Sequence, residues 1–167
     1  MRVSSRGQYG VRALAYLATR YGEGPINVRT VAQAEHLPAK YLEQLLAKLR
    51  RGGLVRSSRG ARGGVTLARD PQTISVRQVV SLLEGSLLPV ECLKDGAGHE
   101  ETCVAHPLWR ALHENVLSTL DSFTLADLAE RMRSRDARQA RGTQEAEREL
   151  ETVGAPAGNG RTDVHSD

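Results

Sequence analysis

Apolar residues recur along this chain with the period of a helix, in blocks separated by glycine and proline. Val11, Leu14, Ala15 and Ala18 mark a first helix over residues 6–21, which Gly22 and Gly24 end. Asn27 is a good cap for a short second helix over 28–35, with Val31 and Ala32 facing inward. The break His36-Leu37-Pro38 follows, its proline suited to the first turn of the next helix, where a missing N–H costs nothing. Leu42, Leu45, Leu46 and Leu49 then fall at i, i+3, i+4 and i+7 and predict one buried stripe on a third helix, Ala39–Arg51. Lys40, Gln44, Lys48 and Arg51 run down a different face.

The period changes after Gly52-Gly53. Residues 54–58 (LVRSS) and 65–68 (VTLA) read as two short strands around Arg59-Gly60-Ala61-Arg62-Gly63-Gly64, a β-hairpin with two arginines at its tip. Two short helices, a tight turn, a third helix with one leucine face and one basic face, and then a hairpin make a winged helix-turn-helix. An arginine at such a tip can reach a phosphate or enter the minor groove, and glycines let the backbone approach closely.

Ser75 with Gln78 forms a capping box for Val76–Glu84, whose Val76, Val79, Val80 and Leu83 form another stripe that Gly85 ends. Beyond a polar loop, Pro107 starts a long helix over 107–122. Leu108, Leu112, Val116 and Leu120 recur on it at i+4 steps, with Trp109 and Leu117 beside them. That apolar surface is wide for the edge of a small domain and reads as a dimerisation helix, with packing on its own core as the rival. Thr124 and Asp127 cap a last helix over 125–133. From Ser134 on there are no aromatics and charges of both signs mix, so residues 134–167 read as a disordered tail, with some helix around 144–151. The expected organisation is a DNA-binding domain at 1–85, a cysteine-bearing sensor loop at 86–106, dimerisation helices at 107–133 and the tail. The fold class is mainly α with a small β-hairpin.

Charge sharpens this picture. Residues 1–84 hold 14 Lys/Arg against 5 Asp/Glu, a balance of +9, whereas residues 85–167 hold 9 against 15, a balance of −6. A compact, strongly basic half is the footprint of a polyanion-binding surface. No apolar run approaches the ~20 residues that span a bilayer, and MRVSSRGQYG lacks the apolar stretch of a secretory signal, so a cytoplasmic protein is expected, without membrane contact. No nucleophile–base pair or phosphate-binding loop suggests an enzyme.

The stretch YLEQLLAKLRRGGLVRSSRGARGGVTLAR at 41–69 closely resembles the Rrf-type winged-helix transcriptional regulators, the family of IscR, NsrR and CymR. MRVSSRGQYGVRALAYLA and HPLWRALHENVLSTLDSFTLADL resemble it too, so that the likeness covers about residues 1–130. The resemblance implies a homodimeric, sequence-specific repressor on a pseudo-palindromic operator in double-stranded DNA, with the long helix at the dimer interface. It implies DNA contacts for Tyr41, Glu43 and Arg59; helix face or wing position adds Lys40, Gln44, Lys48 and Arg62. The sequence departs from the family pattern at Pro38 and Lys40, where small hydroxyl residues are usual, and in the wing, where Gly-Pro-Gly-Gly-Gly is common. The operator preference therefore does not carry over.

The loop CLKDGAGHEETCVAH at 92–106 holds both cysteines. Cluster-binding relatives carry three cysteines there, and IscR-like ones, which this loop most resembles, add a histidine three residues after the last. Cys92, Cys103 and His106 match the first, the third and that histidine, while the middle cysteine is missing. His99 falls near its place, and imidazole can replace thiolate on an iron. The resemblance thus implies a 2Fe-2S cluster on Cys92, Cys103, His106 and His99. The spacing is not that of ordinary structural zinc. The alternative is a cluster-free regulator of the same fold acting by a Cys92–Cys103 thiol switch, a small ligand or a partner protein.

Overall fold

The computed structural model describes residues 3–60, 63–94 and 102–153. Among these described residues six α-helices and one two-stranded antiparallel hairpin run in the order α1 (Ser5–Thr19), α2 (Val28–Ala34), α3 (Ala39–Arg51), β1 (Val55–Ser58), β2 (Gly64–Leu67), α4 (Val76–Glu84), α5 (His106–Asp121) and α6 (Leu125–Val153). Short 3-10 turns stand at Pro71–Thr73 and Glu91–Leu93. This is the mainly helical fold with a small hairpin that the hydrophobic pattern predicts.

Local chemistry sets the boundaries. Ser4 Oγ accepts the Arg6 N–H at the start of α1, and Asn27 Oδ1 accepts the Arg29 N–H at 2.9 Å to open α2. Between α2 and α3 the chain turns through His36, a non-glycine residue in the left-handed region at φ 52°. The Thr124 box is complete, Thr124 N–H donating to Asp127 Oδ2 at 2.8 Å and Asp127 N–H to Thr124 Oγ1 at 3.2 Å. The Ser75 box is half made. Ser75 Oγ accepts the Gln78 N–H at 3.4 Å, whereas the Gln78 side chain accepts from Arg69 instead.

The core is leucine-built, as a chain with one Trp and one Phe requires. Leu14 and Leu17 of α1, Val31 of α2, the four leucines of α3, Leu54, Val65 and Leu67 of the hairpin, Val79 and Leu83 of α4, and Leu125 and Ala129 of α6 form one buried cluster. A second, smaller cluster joins Val76 and Val80 of α4 to Leu87, with Leu117, Leu120 and Phe123 packed against it. Register in the hairpin pairs Val55 with Leu67 and Ser58 with Gly64, and Ile26 bridges to Val65 so that the wing is tied back to the start of α2.

One boundary differs plainly from the sequence reading. α6 does not stop at Arg133 but continues to Val153, where a disordered tail is expected from Ser134. Residues 134–153 are rich in Ala, Arg, Gln and Glu, all strong helix formers, with Gly142 the sole glycine and no proline, so local propensity carries the helix on. The chain divides into a compact unit, Met1–Arg133, and a second unit, Ser134–Asp167. Residues 154–167 of the expected tail lie outside the described residues.

Candidate nucleic-acid interface and thiol loop

The leucine stripe anchors α3, leaving Leu42, Leu45, Leu46 and Leu49 at most 4% exposed and turning the opposite face outward. Lys40, Glu43 and Gln44 are exposed on that face, and Arg50 and Arg51 near its end. Tyr41 is half-buried, its ring edge-on to Tyr9 of α1 with centroids 6.0 Å apart and planes at 83°. Arg50 Nη1 donates to Ser57 Oγ at 2.9 Å, tying α3 to β1. Arg56, Ser57, Ser58 and Arg59 are exposed along the outer side of the wing. Arg62, the second tip arginine expected to meet DNA, lies outside the described residues.

Lys48 is placed differently from Lys40 and Gln44. Helical spacing groups it with Lys40 and Gln44, but it is half-buried, and its ammonium donates to the Leu83 carbonyl oxygen at 2.8 Å. The periodic pattern could not show this, because the partner lies 35 residues away on α4.

Two buried or nearly buried carboxylates also escaped the sequence reading. Glu35, at the end of α2, is 2% exposed and faces Arg12 of α1, whose Nε donates to Glu35 Oε2 at 3.1 Å and whose Nη2 reaches the Glu35 carbonyl oxygen. This clamp holds the turn that leads into α3. Glu84 ends α4 and sits at the N-terminus of α1. There it accepts from Ser4 Oγ at 2.6 Å, the Gly7 N–H at 2.9 Å and the Ser4 N–H at 3.1 Å. Burial raises the Glu84 carboxyl, but the Ser4 hydroxyl, the Gly7 and Ser4 N–H groups and the Arg6 guanidinium outweigh it, and the group is held below the usual carboxylate range. A carboxylate 80 residues from the amides it caps carries no local signal.

The structure brings the two cysteines together. Both are half-buried, unpaired by a disulfide, and Cys92 in the Glu91–Leu93 turn is hydrogen-bonded to Cys103, which stands just before α5. Burial pushes the Cys92 thiol up, and Cys103 adds to this both as a like charge and as a hydrogen-bond partner. His106 is buried at the first position of α5, with its N–H on the Cys103 carbonyl oxygen at 2.9 Å. Among the described residues no group of three His, Cys, Asp or Glu side chains is placed to hold a metal ion, and His99 lies outside them. A 2Fe-2S centre needs four donors, and of the four expected from the loop the described residues include Cys92, Cys103 and His106.

The comparisons with known proteins fall on this geometry. The family described as "Rrf2: Iron-dependent Transcriptional regulator" matches residues 3–131. The chain belongs to the Rrf2 family. It is 41% identical to the HTH-type transcriptional regulator CymR of Bacillus subtilis (strain 168) over 129 residues, covering 77% of this chain and 90% of that one. With IscR of Yersinia enterocolitica it shares 36% identity over 129 residues, 77% of this chain and 79% of its relative. Two solved structures have TM-scores of 0.66. These are "CymR (YrzC) the Global Cysteine Regulator of B. subtilis", at 40% identity with 78% and 97% of the two chains covered, and "T. potens IscR", at 39% with 79% and 88%. Like the Rrf2 regulators it matches, the chain is a DNA-binding transcriptional regulator of winged-helix fold and not an enzyme. No helix among the described residues is long and apolar enough to cross a membrane.

Proposed function

We propose that this Rrf2 regulator is a homodimeric, sequence-specific repressor whose hold on its operator is set by the thiol pair Cys92–Cys103. The observation that carries the reading is the contact between those two thiols, made between the turn that follows α4 and the start of α5. The recognition helix α3 enters a major groove with Lys40, Tyr41, Glu43 and Gln44 toward the bases and backbone, and Arg59, with Arg62, brings the wing to the phosphates. The second copy covers α5, on which Leu108 is 62% and Leu112 42% exposed. A hydroperoxide switches the pair. One thiolate takes up the terminal oxygen as sulfenic acid and releases water or alcohol after protonation; the other thiol then displaces water as the S–S bond forms, so that two thiols are oxidised by two electrons and the peroxide is reduced.

The description of the family as iron-dependent supports a second reading, in which Cys92, Cys103, His106 and His99 hold a cluster. One preparation separates the two. Protein purified without oxygen is expected to be colourless, with iron and sulfide far below one per chain. Titration should find two reactive thiols in the wild type, both lost on peroxide treatment, and one in Cys92→Ser. Stoichiometric iron and sulfide would replace the thiol-pair reading with the cluster.

DNA contact has its own check. Binding to a duplex selected from random sequence should weaken steeply as salt rises, since each neutralised phosphate contributes a slope of about 0.9 in log affinity against log salt. Arg59→Ala is expected to weaken binding by about fivefold to tenfold and to lower the slope by about 1.8, or about 0.9 for each of the two wings. Full retained affinity would remove the wing from the interface.

A further inference from the structure

The last turn of α4 is fitted against two other helices residue by residue. Leu82 lies over Gly52, at the end of α3, where a Cβ would overlap Leu82 Cδ1 and come within 2.7 Å of its Cδ2. Leu83 lies over Gly10 of α1, whose place for a Cβ its own Cδ1 occupies. Glu84 lies over Gly7, where a Cβ would stand 2.7 Å from Glu84 Oε1. Three successive side chains thus fill three glycine gaps. Lys48 of α3 closes the same contact from the other side through its bond to the Leu83 carbonyl. That carbonyl is among the last four of α4, which have no partner within the helix and lie at its negative end, so an ammonium is well matched there. Gly85, at φ 85°, then turns the chain directly into the segment that carries Cys92, and Leu87 on the way is packed with Val76 and Val80 of α4.

We propose that Lys48 is a positioning residue for α3 and not a DNA contact, and that the last turn of α4, held to α3 by Lys48 and by Leu82 on Gly52, transmits the state of the thiol segment to the recognition helix. The signal it transmits rests on the thiol-pair reading; the positioning role of Lys48 does not. A half-buried ammonium in a 2.8 Å bond and a leucine filling a glycine gap make α3 and the end of α4 shift together. The chain leaving Gly85 is the one path by sequence from α4 to Cys92, so a strain imposed by an S–S bond arrives first at residues 82–85.

The test uses the full-length protein and the duplex that the wild type selects from random sequence, across a salt series, with the protein reduced and peroxide-treated. Lys48→Met is expected to weaken binding by about threefold to thirtyfold. The salt slope should stay at the wild-type value, and the ratio of reduced to oxidised affinity should move toward one. Lys48→Arg, which still offers a donor to the Leu83 carbonyl, should restore both. Gly52→Ala is placed on ordinary helical-side backbone at φ −79°, so its only fault is the overlap with Leu82. It should weaken binding, and adding Leu82→Ala should recover it. A slope lower by about 1.8, about 0.9 for each of the two subunits, in Lys48→Met would make Lys48 a phosphate contact and overturn the proposal. Unchanged affinity and ratio in both Lys48→Met and Gly52→Ala would overturn it as well. If the wild type binds DNA equally in both thiol states, the thiol-pair reading fails and the transmission with it, while slope and rescue still decide what Lys48 does.

Discussion

Replacing Leu108 and Leu112 together by glutamate is expected to give a folded monomer that binds its operator at least about a hundredfold more weakly than the wild type. Folding should survive because neither side chain belongs to the two buried clusters. α5 is held to the rest of the molecule further along, through Leu117 and Leu120 against Val76, Val80 and Leu87. Leu108 and Leu112 are 62% and 42% exposed, one turn apart on the same face, with Val104 fully exposed just before them. Proteins seldom leave such a patch bare, and in the proposed homodimer a second copy related by a two-fold axis would cover it with the same patch. Two glutamates placed there meet two more across the axis, and desolvating four like charges abolishes the interface. The loss in DNA binding follows from geometry, because a dimer sets two recognition helices at a fixed spacing of about 34 Å or a multiple of it, so the second half-site binds within a complex already formed. Sedimentation and titration against duplexes with one or both half-sites would measure both effects. A variant that stays dimeric would move the interface elsewhere; a monomer with undiminished affinity would mean that one subunit suffices.

How much of this molecule could be read beforehand depended on the range of the interaction concerned. α3 and α4 have the bounds the apolar stripes predict, Ala39–Arg51 and Val76–Glu84, since a stripe and its caps are properties of neighbours three and four residues apart. The hairpin was legible within one residue at each strand for the same reason, with glycines marking its turn. The groups that orient the reading head are of another kind. Arg12 meets Glu35 across 23 positions, Lys48 meets Leu83 across 35, and Ser4 meets Glu84 across 80. Each of these looks locally like an ordinary surface charge, and only the packed fold puts a partner beside it. Gly7, Gly10 and Gly52 likewise look unexceptional in sequence, inside or at the end of helices that glycine ought to weaken; the side chains of Leu82–Glu84 explain them. The two cysteines were visible as a pair, but their contact became visible once the turn at Glu91–Leu93 and the start of α5 were in place. The helix past Arg133 rests on the high helix propensity of its residues, whereas their low hydrophobicity reads as disorder.

Glu84→Ala is expected to destabilise the folded protein by about 2 kcal/mol, as the Ser4 hydroxyl, the Ser4 N–H and the Gly7 N–H lose one acceptor at the N-terminus of α1. Glu84→Gln should cost less, because an amide oxygen still accepts while the charge that favours the helix N-terminus and Arg6 is gone. The charge part of this effect has a pH signature. Glu84 is lowered in the folded protein relative to its unfolded value, so the stabilisation from its ionised form is fully present above the unfolded value, near pH 4.5, and is lost as pH falls through the lower folded value. The gap in unfolding free energy between wild type and Glu84→Gln should therefore be constant from neutral pH down to about pH 5 and shrink below about pH 4. Two other carboxylates are also lowered, Asp121 by its bonds from Arg77 and Ser75 and Asp127 by those from Thr124, but both titrate alike in the two proteins and cancel in the difference. Denaturant melts at a series of pH values would read the gap directly. A gap that does not change with pH would mean that Glu84 acts by shape and hydrogen bonding alone. A gap that widens in acid would contradict the lowered carboxyl and, with it, the view of Glu84 as an ionised cap joining α4 to α1.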